Sequence, residues 1–299
     1  MSARAKLGQK ILATGSIWLN GRRESFDAVH ISARDRGFTL ADGLFETMRV
    51  ESGVVFRLDR HLDRLARGLG VLRMRAVPQI RDWVQIACHE APPGPASIRL
   101  TVTRGVGPGG IATTSDGTPT VVVALDPMPA FPSAIYERGL AAHVASGRRN
   151  PHAITAGLKT IAYTDNVVAW FEAQDASASE AIFLDTDGHC SEAIASNLFV
   201  WTGDTLLTPP LSCAVLPGVT RDAVIEIASA LGMATAERAF GLDELHAARE
   251  AFLTSSLRGL APLVRVGSRP IGDGEPGSST RRLAAAYATL VARECARDS

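Results

Sequence analysis

Lys159 is the residue of this sequence best suited to chemistry that requires an amine. Only three of the 31 basic residues are lysines, and the other two, Lys6 and Lys10, lie close to the N-terminus. Lys159 sits in the apolar segment A-G-L-K-T-I-A-Y (156–163). Burial disfavours a charged ammonium group and lowers its pKa, which is what a lysine needs in order to form a Schiff base. A surface lysine that follows a turn is the alternative interpretation of this segment alone.

Three further segments carry groups that would complement such an amine. They are S-E-A-I-A-S-N-L-F (191–199) with its single carboxylate Glu192, the helix start L-P-G-V-T-R (216–221), and the hydroxyl-rich F-L-T-S-S-L-R (252–258). The backbone N–H groups at the start of a helix form an anion site. Taken singly, the segments also fit an exposed glutamate, an ordinary helix and an ordinary turn. Together with Lys159 they predict a pyridoxal phosphate site, with an imine, a partner for the ring nitrogen and a cup for the phosphate.

The loop G-V-G-P-G-G (105–110) satisfies the glycine pattern of a dinucleotide site, and Asp126 follows at a suitable distance. Such a site needs a helix that opens at the third glycine, within a crossover of about 10–12 residues or more. Here nine residues rich in Thr, Ser, Gly and Pro (111–119) precede the next predicted strand. We therefore expect a loop that lines another kind of site, rather than an NAD or FAD site.

Composition argues against several classes of protein. Acidic and basic residues balance at 31 each, so we expect no nucleic-acid partner. No apolar run reaches the roughly 18–20 residues of a membrane span, and we expect no signal peptide, no membrane partner and a cytoplasmic location. The four cysteines are scattered. This pattern argues against a disulfide scaffold and against structural zinc, and we expect no metal.

The elements that must hold these residues alternate irregularly. Helical spacing of apolar residues predicts helices at 59–74, 79–90, 165–176, 221–231 and 278–296. Period-two and β-branched runs predict strands at 16–19, 45–50, 54–58, 96–103, 119–125, 140–145, 181–184, 197–201, 251–254 and 262–266. The irregular order indicates an α+β fold rather than a doubly wound sheet. Three prolines in D-P-M-P-A-F-P-S (126–133) predict a linker.

The sequence resembles the class IV aminotransferases, the fold-type IV pyridoxal phosphate enzymes, which include branched-chain and D-amino-acid aminotransferases and aminodeoxychorismate lyase. Five segments carry the resemblance in family order: D-R-G-F-T-L-A-D-G-L-F-E (35–46), H-L-D-R-L (61–65), G-L-K-T (157–160), S-E-A-I-A-S-N-L-F (191–199) and L-P-G-V-T-R (216–221). The resemblance implies a homodimer of two-domain α+β chains. A smaller N-terminal α/β domain (1–126) and a Pro-rich linker (127–134) would precede a larger C-terminal domain with a barrel-like sheet (135–299).

The resemblance assigns seven residues to pyridoxal phosphate: Arg64, Lys159, Tyr163, Glu192, Val219, Thr220 and Ser256. It implies that Lys159 is the catalytic residue, which forms the internal aldimine and later moves the proton. Arg64 would bind the phosphate as a guanidinium fork, although a solvated charge on an amphipathic helix is the alternative. The backbone amides of Val219 and Thr220 and the hydroxyl of Ser256 would complete the phosphate cup. Glu192 would keep the ring nitrogen protonated, and Tyr163 would hydrogen-bond the ring hydroxyl.

Four residues are candidates for binding the substrate: Phe45, Arg49, Arg99 and Leu257. Phe45, Gly109 and Ile111 stand where D-amino-acid aminotransferases carry the Tyr, Arg and His that hold the substrate carboxylate, so that trap is absent. Arg49 or Arg99 would pair with a carboxylate, and a strand arginine that faces solvent is the alternative. We expect a transaminase that moves an amino group between an amino acid or amine and a 2-oxo acid by a ping-pong mechanism. A lyase that releases pyruvate from aminodeoxychorismate in folate synthesis is the first alternative, and a non-catalytic or dinucleotide-binding globular protein is the second.

Overall fold

The computed structural model describes residues 15–91, 93–114 and 117–296, so Lys6 and Lys10 lie outside the described residues. The chain divides into two compact units. The first unit consists of Met1–Pro129, Lys159–Ala162 and Val291–Ser299, and the second consists of Ala130–Leu158 and Tyr163–Leu290. This division gives the first unit two short segments, around Lys159 and at the C-terminus, that the sequence-based boundaries put in the C-terminal domain.

The first unit is built on a six-stranded antiparallel sheet. Its strands are β1 (Ser16–Leu19), β2 (Arg22–Glu24), β3 (Gly43–Glu51), β4 (Val54–Val55), β5 (Ala96–Thr103) and β6 (Thr120–Pro127). They lie in the order β2-β1-β6-β5-β3-β4. Side chains alternate between the two faces of a strand, and Ile98, Leu100 and Val102 of β5 are all fully buried. One face of the sheet is therefore part of the core.

Helices pack on this sheet. The helices of the first unit are α1 (Arg36–Leu40), α2 (Leu58–Val71) and α3 (Ile80–His89). The second of them packs against β3 and the third against β6. The buried face of α2 has the spacing of an amphipathic helix and consists of His61, Arg64, Leu65, Gly68 and Leu69. This helix ends before the predicted position 74 because Arg73 adopts a left-handed backbone conformation, with φ of 50°.

The second unit is built on a mixed sheet. Its strands are β7 (Leu140–Arg149), β8 (Glu180–Asp185), β9 (Cys190–Ala193), β10 (Asn197–Trp201), β11 (Thr205–Thr208), β12 (Ala234–Glu237), β13 (Glu250–Ser255), β14 (Gly259–Val266) and β15 (Arg269–Pro270). Six of them close into a ring, in which β7, β8, β9, β10, β13 and β14 pair in turn and β14 pairs with β7. β7 runs parallel to both of its neighbours, and the other pairs of the ring are antiparallel. The ring confirms the barrel-like sheet expected from the sequence.

Helices also flank this ring. They are α4 (Ala134–Glu137), α5 (Thr164–Asp175), α6 (Val219–Ala230), α7 (Leu242–Ala247) and α8 (Ser278–Glu294). The helix α5 packs against β7 and β8, and α6 packs against β12 and β13. The core of this unit includes Leu198, Leu253 and Leu263, which are nearly or fully buried. Apolar residues of three adjacent ring strands thus meet in one cluster.

The α+β class is confirmed, and the differences from the predicted elements have local causes. The strands at 96–103 and 197–201 have the predicted bounds. β7 extends to Arg149, beyond the predicted end at 145. A register shift between Val144 and Arg148 interrupts its pairing with β8, and it obscures the alternation of side chains on which the prediction relied. The prediction lacks five short strands of two to four residues, which are β2, β9, β11, β12 and β15. In the described ranges, every helix is too short or too polar to cross a bilayer.

Candidate active site

Lys159 lies beside the first residues of β3. The backbone N–H of Phe45 donates to the carbonyl of Lys159 at 2.9 Å, and the N–H of Ile161 donates to the carbonyl of Gly43 at 3.1 Å. Between them, Thr160 forms a bridge with Leu44. The segment Lys159–Ala162 therefore pairs with the edge of β3 where that strand begins. Two backbone hydrogen bonds fix the position from which the lysine side chain projects.

Two cations lie against the ring of Phe45, which is itself buried. The Nζ atom of Lys159 is 4.5 Å from the ring centroid, and the guanidinium carbon of Arg99 is 4.0 Å from it. An aromatic face attracts cations at such distances. Lys159 is half-buried, whereas Arg99 is exposed. An aromatic ring and a second positive charge therefore lie next to the amine of Lys159.

Arg64 is buried and bound to a carboxylate. It donates from Nε to Oε1 of Glu46 at 2.8 Å and from Nη2 to Oε2 at 2.5 Å. Nδ1 of His61 lies 2.7 Å from the same Oε2 atom. The alternative of a solvated helix charge is wrong, because only 7% of Arg64 is exposed.

This cluster has perturbed protonation states. Burial alone would raise the pKa of Glu46, but the hydrogen bonds from Arg64 and His61 outweigh it and lower the pKa to about 2. Burial lowers the pKa of His61 below its usual range, against the opposing effect of Glu46. Near neutral pH the cluster therefore holds an ionised Glu46, a charged Arg64 and a neutral His61.

Glu192 lies on β9 in the second unit. Its Oε2 atom accepts a hydrogen bond from the backbone N–H of Leu216 at 3.0 Å, and its Oε1 atom is 3.9 Å from Nη2 of Arg149. The guanidinium of Arg149 stacks on the ring of Phe183 at 4.0 Å. The carboxylate is only partly buried, with 17% of the side chain exposed. A positive charge and a backbone donor thus face this carboxylate.

The start of α6 lies close to Glu192 in space, because Leu216, which donates to this carboxylate, precedes the helix by three residues. Asn197 of β10 donates from Nδ2 to the carbonyl of Leu216 at 2.9 Å. Gly218 is the N-cap, and within the described chain no side chain caps the helix. A Cβ atom on Gly218 would lie 2.0 Å from Oδ1 of Asn197. Val219 and Thr220 are buried, and the first N–H groups of a helix have no partner within the helix itself.

Ser256 and Leu257 occupy the turn between β13 and β14, and both are half-buried. The next residue, Arg258, fixes this turn. It donates from Nη2 to Oε2 of Glu180 at 2.8 Å and to Oγ of Ser196 at 2.9 Å. Tyr163 is the residue before α5 and is also half-buried.

Two other predicted features have different surroundings. Arg49 forms an ion pair with Glu51 on the same strand, with Nε 2.6 Å from Oε1, so its charge is compensated. In the glycine-rich loop, Arg36 donates from Nη1 to the carbonyl of Gly110 at 2.8 Å. In the described part of this loop (105–114 and 117–119) there is no helix before β6. The feature that a dinucleotide site requires is therefore missing there.

Asp185, His189 and Cys213 form the one group of possible metal ligands among the described residues, with donor atoms within 4.8 Å of one another. The contacts of a tight turn account for this grouping. Oδ1 of Asp185 accepts the backbone N–H groups of Asp187 at 3.0 Å and of His189 at 2.8 Å. Burial raises the pKa of the Cys213 thiol to about 11. Asp185 and His189 therefore belong to the β8–β9 turn, and Cys213 approaches it from the 3₁₀ turn Leu211–Cys213.

The structure also shows partners that the sequence interpretation missed: Glu46, His61, Arg149 and Asn197. The residues His61 and Arg64 stand three apart in H-L-D-R, so both belong to one helix face. That spacing is a signal for the pair but does not name its partner on β3. Neither Arg149 nor Asn197 has a local signal, because each is defined by a contact distant in sequence.

The residues fit the predicted cofactor, each unit taken by itself. In the described chain Lys159 is the only lysine and thus the only side-chain primary amine. The second unit offers a partly exposed carboxylate and a buried helix start whose N-cap has no side chain. Pyridoxal phosphate needs an amine for its aldehyde, a partner for its ring nitrogen and donors for its phosphate.

Comparisons with known proteins agree with this interpretation. The family model described as amino-transferase class IV matches residues 43–266. A putative branched-chain-amino-acid aminotransferase of Methanocaldococcus jannaschii is 33% identical over 89% of this chain and 93% of its own length. An aminodeoxychorismate lyase of Bacillus subtilis is 31% identical over 91% of this chain and 93% of its own length. A T.th. branched-chain amino acid aminotransferase, solved with pyridoxamine 5'-phosphate, superimposes with a TM-score of 0.86 at 26% identity and covers 94% of this chain and 95% of its own.

Proposed function

Because this chain belongs to the class IV amino-transferase family, whose cofactor is pyridoxal phosphate, we propose that it transfers an amino group between an amino acid and a 2-oxo acid. The bound cofactor supplies an electron-withdrawing ring that acidifies the C–H bond next to the amino group of the substrate. The observation that carries the proposal is the placement of Lys159. Its backbone is fixed on β3, and its amine lies against the buried ring of Phe45.

In this proposal Lys159 has two tasks. Its Nζ atom would hold the cofactor through the aldehyde carbon, with water as the leaving group, and the freed amine would accept the proton of the substrate α-carbon. Both tasks require the neutral amine at some stage. The ring of Phe45 lies on one side of the amine, with its centroid 4.5 Å from Nζ, and so limits the positions that the lysine side chain can adopt.

The other residues bind and orient. Arg64 and the first-turn amides of Val219 and Thr220 hold the phosphate, and the hydroxyl of Ser256 adds a donor. Glu192 binds the protonated ring nitrogen, and Tyr163 donates to the ring hydroxyl. The support for the role of Glu192 is its backbone bond to Leu216, which leaves the carboxylate oriented near the start of α6.

We propose that the amino donor carries a carboxylate, which binds Arg99. Arg99 is exposed and lies on the ring that Lys159 also contacts. Phe45 and Leu257 would line the same substrate. Arg99→Gln is expected to raise KM for amino acids at least tenfold and to leave KM for simple amines within about twofold, because only amino acids use the guanidinium. Arg22→Gln, a change on the short strand β2, serves as the control.

The first experiment records the absorption spectrum of the purified protein with pyridoxal phosphate. Borohydride reduction followed by peptide mapping should find a phosphopyridoxyl group on Lys159. Lys159→Ala should abolish this modification while the protein stays folded. Loss of the visible band with one D- or L-amino acid, and its recovery with a 2-oxo acid, would establish transfer. A wild-type protein without a visible band, or turnover retained by Lys159→Ala, would refute the proposal.

The lyase reaction is the second candidate, because the Bacillus subtilis relative named above is nearly as similar as the aminotransferase relative. The two reactions share proton removal by Lys159 and differ in the product. Pyruvate formed from aminodeoxychorismate without any 2-oxo acid acceptor would identify the lyase. Amino transfer that requires an acceptor would identify the transaminase.

We also propose a homodimer in a reducing compartment such as the cytoplasm. Val167, Val168, Trp170 and Phe171 of α5 are all about half exposed, which is a large apolar area for one helix. The four cysteines, all of which are described, are buried and free, as is usual for cytosolic proteins. Sedimentation equilibrium of the wild type and of Trp170→Glu tests the dimer. A wild-type monomer at micromolar concentration would refute it.

A further inference from the structure

Glu46, His61 and Arg64 form a buried group of charges in the first unit, which we call the buried triad. Glu46 is fully buried, and His61 is 1% exposed. Both carboxylate oxygens of Glu46 are used, one by Arg64 and the other by Arg64 and His61 together. A buried charge of this kind is costly unless each partner is present. The free energy of packing alone therefore does not explain the triad.

The triad joins two elements that also carry the candidate active-site residues. His61 and Arg64 lie on the buried face of α2, and Glu46 follows Phe45 on β3. Successive strand residues point to opposite faces, so Glu46 enters the core while Phe45 meets Lys159. The positive charge of Lys159 also acts on His61. The triad thus lies on the core side of β3, the strand that fixes the lysine.

The geometry of the pair restricts the guanidinium. Arg64 uses its Nε–H and one N–H of Nη2 in a side-on bidentate contact with Glu46. A guanidinium is planar and has five N–H groups in a fixed fork. Once two of them are fixed by Glu46, the plane and the directions of the other three are set as well. His61 in turn holds the Oε2 atom that receives Nη2.

We propose that Glu46 is a positioning residue, which orients the guanidinium of Arg64 for the phosphate of pyridoxal phosphate, and that His61 keeps Glu46 in place. This inference rests on the proposed role of Arg64 in the preceding section. An oriented guanidinium loses less freedom when the phosphate binds, and this raises affinity. The benefit depends on the phosphate, because a ligand that lacks it does not contact Arg64.

The test compares two ligands that differ only by the phosphate group. Dissociation constants for pyridoxal phosphate and for pyridoxal are measured on the apoprotein of the full chain by equilibrium dialysis, for the wild type and for Glu46→Gln. We expect the constant for pyridoxal phosphate to rise about tenfold or more, and that for pyridoxal to change less than about twofold. Hence the preference for the phosphorylated ligand should fall about tenfold. His61→Gln should lower it by a smaller factor, since Arg64 and Glu46 remain paired.

Asp42→Asn is the matched control. Asp42 is also a carboxylate of low exposure (12% of its side chain) in ion pairs, 2.9 Å from Nε of Arg36 and 2.7 Å from Nε of Arg104, and it lies outside the phosphate contacts proposed here. The control should lose thermal stability without any change in the ratio of the two dissociation constants. This separates loss of a buried ion pair in general from loss of the orientation of Arg64.

Each outcome decides the question. An unchanged ratio in Glu46→Gln, or an equal rise in both constants, would overturn the inference. Should Glu46→Gln not fold, Glu46→Asp keeps the charge but shortens the side chain by one methylene, and it must show the same selective loss or the inference fails. A wild-type protein that binds neither ligand would overturn the proposed function itself, which is a different result from an unchanged ratio.

Discussion

Gly218→Ala should destabilise the start of α6 through a single contact. The backbone of Gly218 has φ of −77°, which any residue can adopt, so the expected damage is purely steric. The new Cβ atom would lie 2.0 Å from Oδ1 and 3.1 Å from Cγ of Asn197. Asn197 is buried and donates to Leu216, so it cannot move without breaking that hydrogen bond. Overpacking costs about 1–3 kcal/mol and the lost bond about 1 kcal/mol, so we expect about 2–4 kcal/mol in all.

The assay is hydrogen exchange of α6 amides, which reports the free energy of opening this helix locally. Asn197→Ala alone should cost about 1–2 kcal/mol, because it removes the bond to Leu216. It also removes the two nearest atoms that a Cβ on Gly218 would meet and leaves only Cβ of Arg221, at 3.2 Å. In the double variant Gly218→Ala should therefore add less than about 1 kcal/mol, which is a strongly non-additive result. Gly147→Ala is the control, since its Cβ would meet nothing closer than 3.9 Å. Additive costs in the double variant would refute the steric reasoning.

Three further predictions concern protonation and reactivity. The pKa of Glu46 is lowered from 4.5 to about 2, so its contribution of about 3 kcal/mol to the free energy of unfolding is complete above pH 4.5 and is lost as the pH falls toward 2. Between pH 6 and 3 the free energy of unfolding should therefore fall by about 2 kcal/mol more in the wild type than in Glu46→Gln, and equal slopes would contradict this. Burial raises the pKa of Cys190 to about 12 and that of Cys213 to about 11. Iodoacetamide at pH 8 should therefore modify both thiols at least about 100-fold more slowly in the folded protein than in urea. Mass spectrometry of the alkylated peptides measures these rates. Glu192→Gln keeps an oxygen that can accept the hydrogen bond from Leu216 but loses the negative charge. The half-reactions measured by stopped flow should therefore slow by about tenfold or more, while the dissociation constant of the cofactor changes less than about threefold. Equal losses in rate and affinity would show that the role proposed for Glu192 is wrong.

The sequence predicted those parts of the fold whose signal is local. The strand at 96–103 alternates apolar and polar residues over its whole length, and its bounds are as predicted. The helix α2 repeats its apolar positions every three or four residues, so its existence and its buried face follow from spacing. The six-stranded ring needs a different kind of information. Its closure depends on a contact between β9 and β10 through one pair, Glu192 and Asn197, which no periodicity encodes.

The buried triad shows why site residues were only partly predictable. The segment H-L-D-R-L singles out Arg64 by resemblance, but its partner Glu46 is 18 residues away on another element. The chain has 31 acidic residues, and the spacing of H-L-D-R does not indicate which of them Arg64 contacts. A glutamate at 46 is in fact an exception to the pattern, because both of its neighbours on that face of β3, Leu44 and Met48, are apolar and buried. Such an exception in a core-facing position is itself a sign of function, since an unpaired charge there would be expensive.

The pairing register of β3 with β5 explains why Arg49 and Arg99 have different surroundings. Arg49 and Glu51 are two apart on β3 and therefore share a face, so their ion pair was implicit in the sequence. Arg99 lies on β5, where it stands opposite Thr47, and Phe45 stands opposite Thr101. Arg99 and Phe45 are consequently diagonal neighbours on one face, close enough for the guanidinium to reach the ring. A slip of one residue would send Arg99 to the buried face beside Leu44 and Met48. The pairing of β3 with β5, more than the presence of an arginine in the sequence, therefore makes Arg99 the candidate that lies with Lys159 on the ring of Phe45.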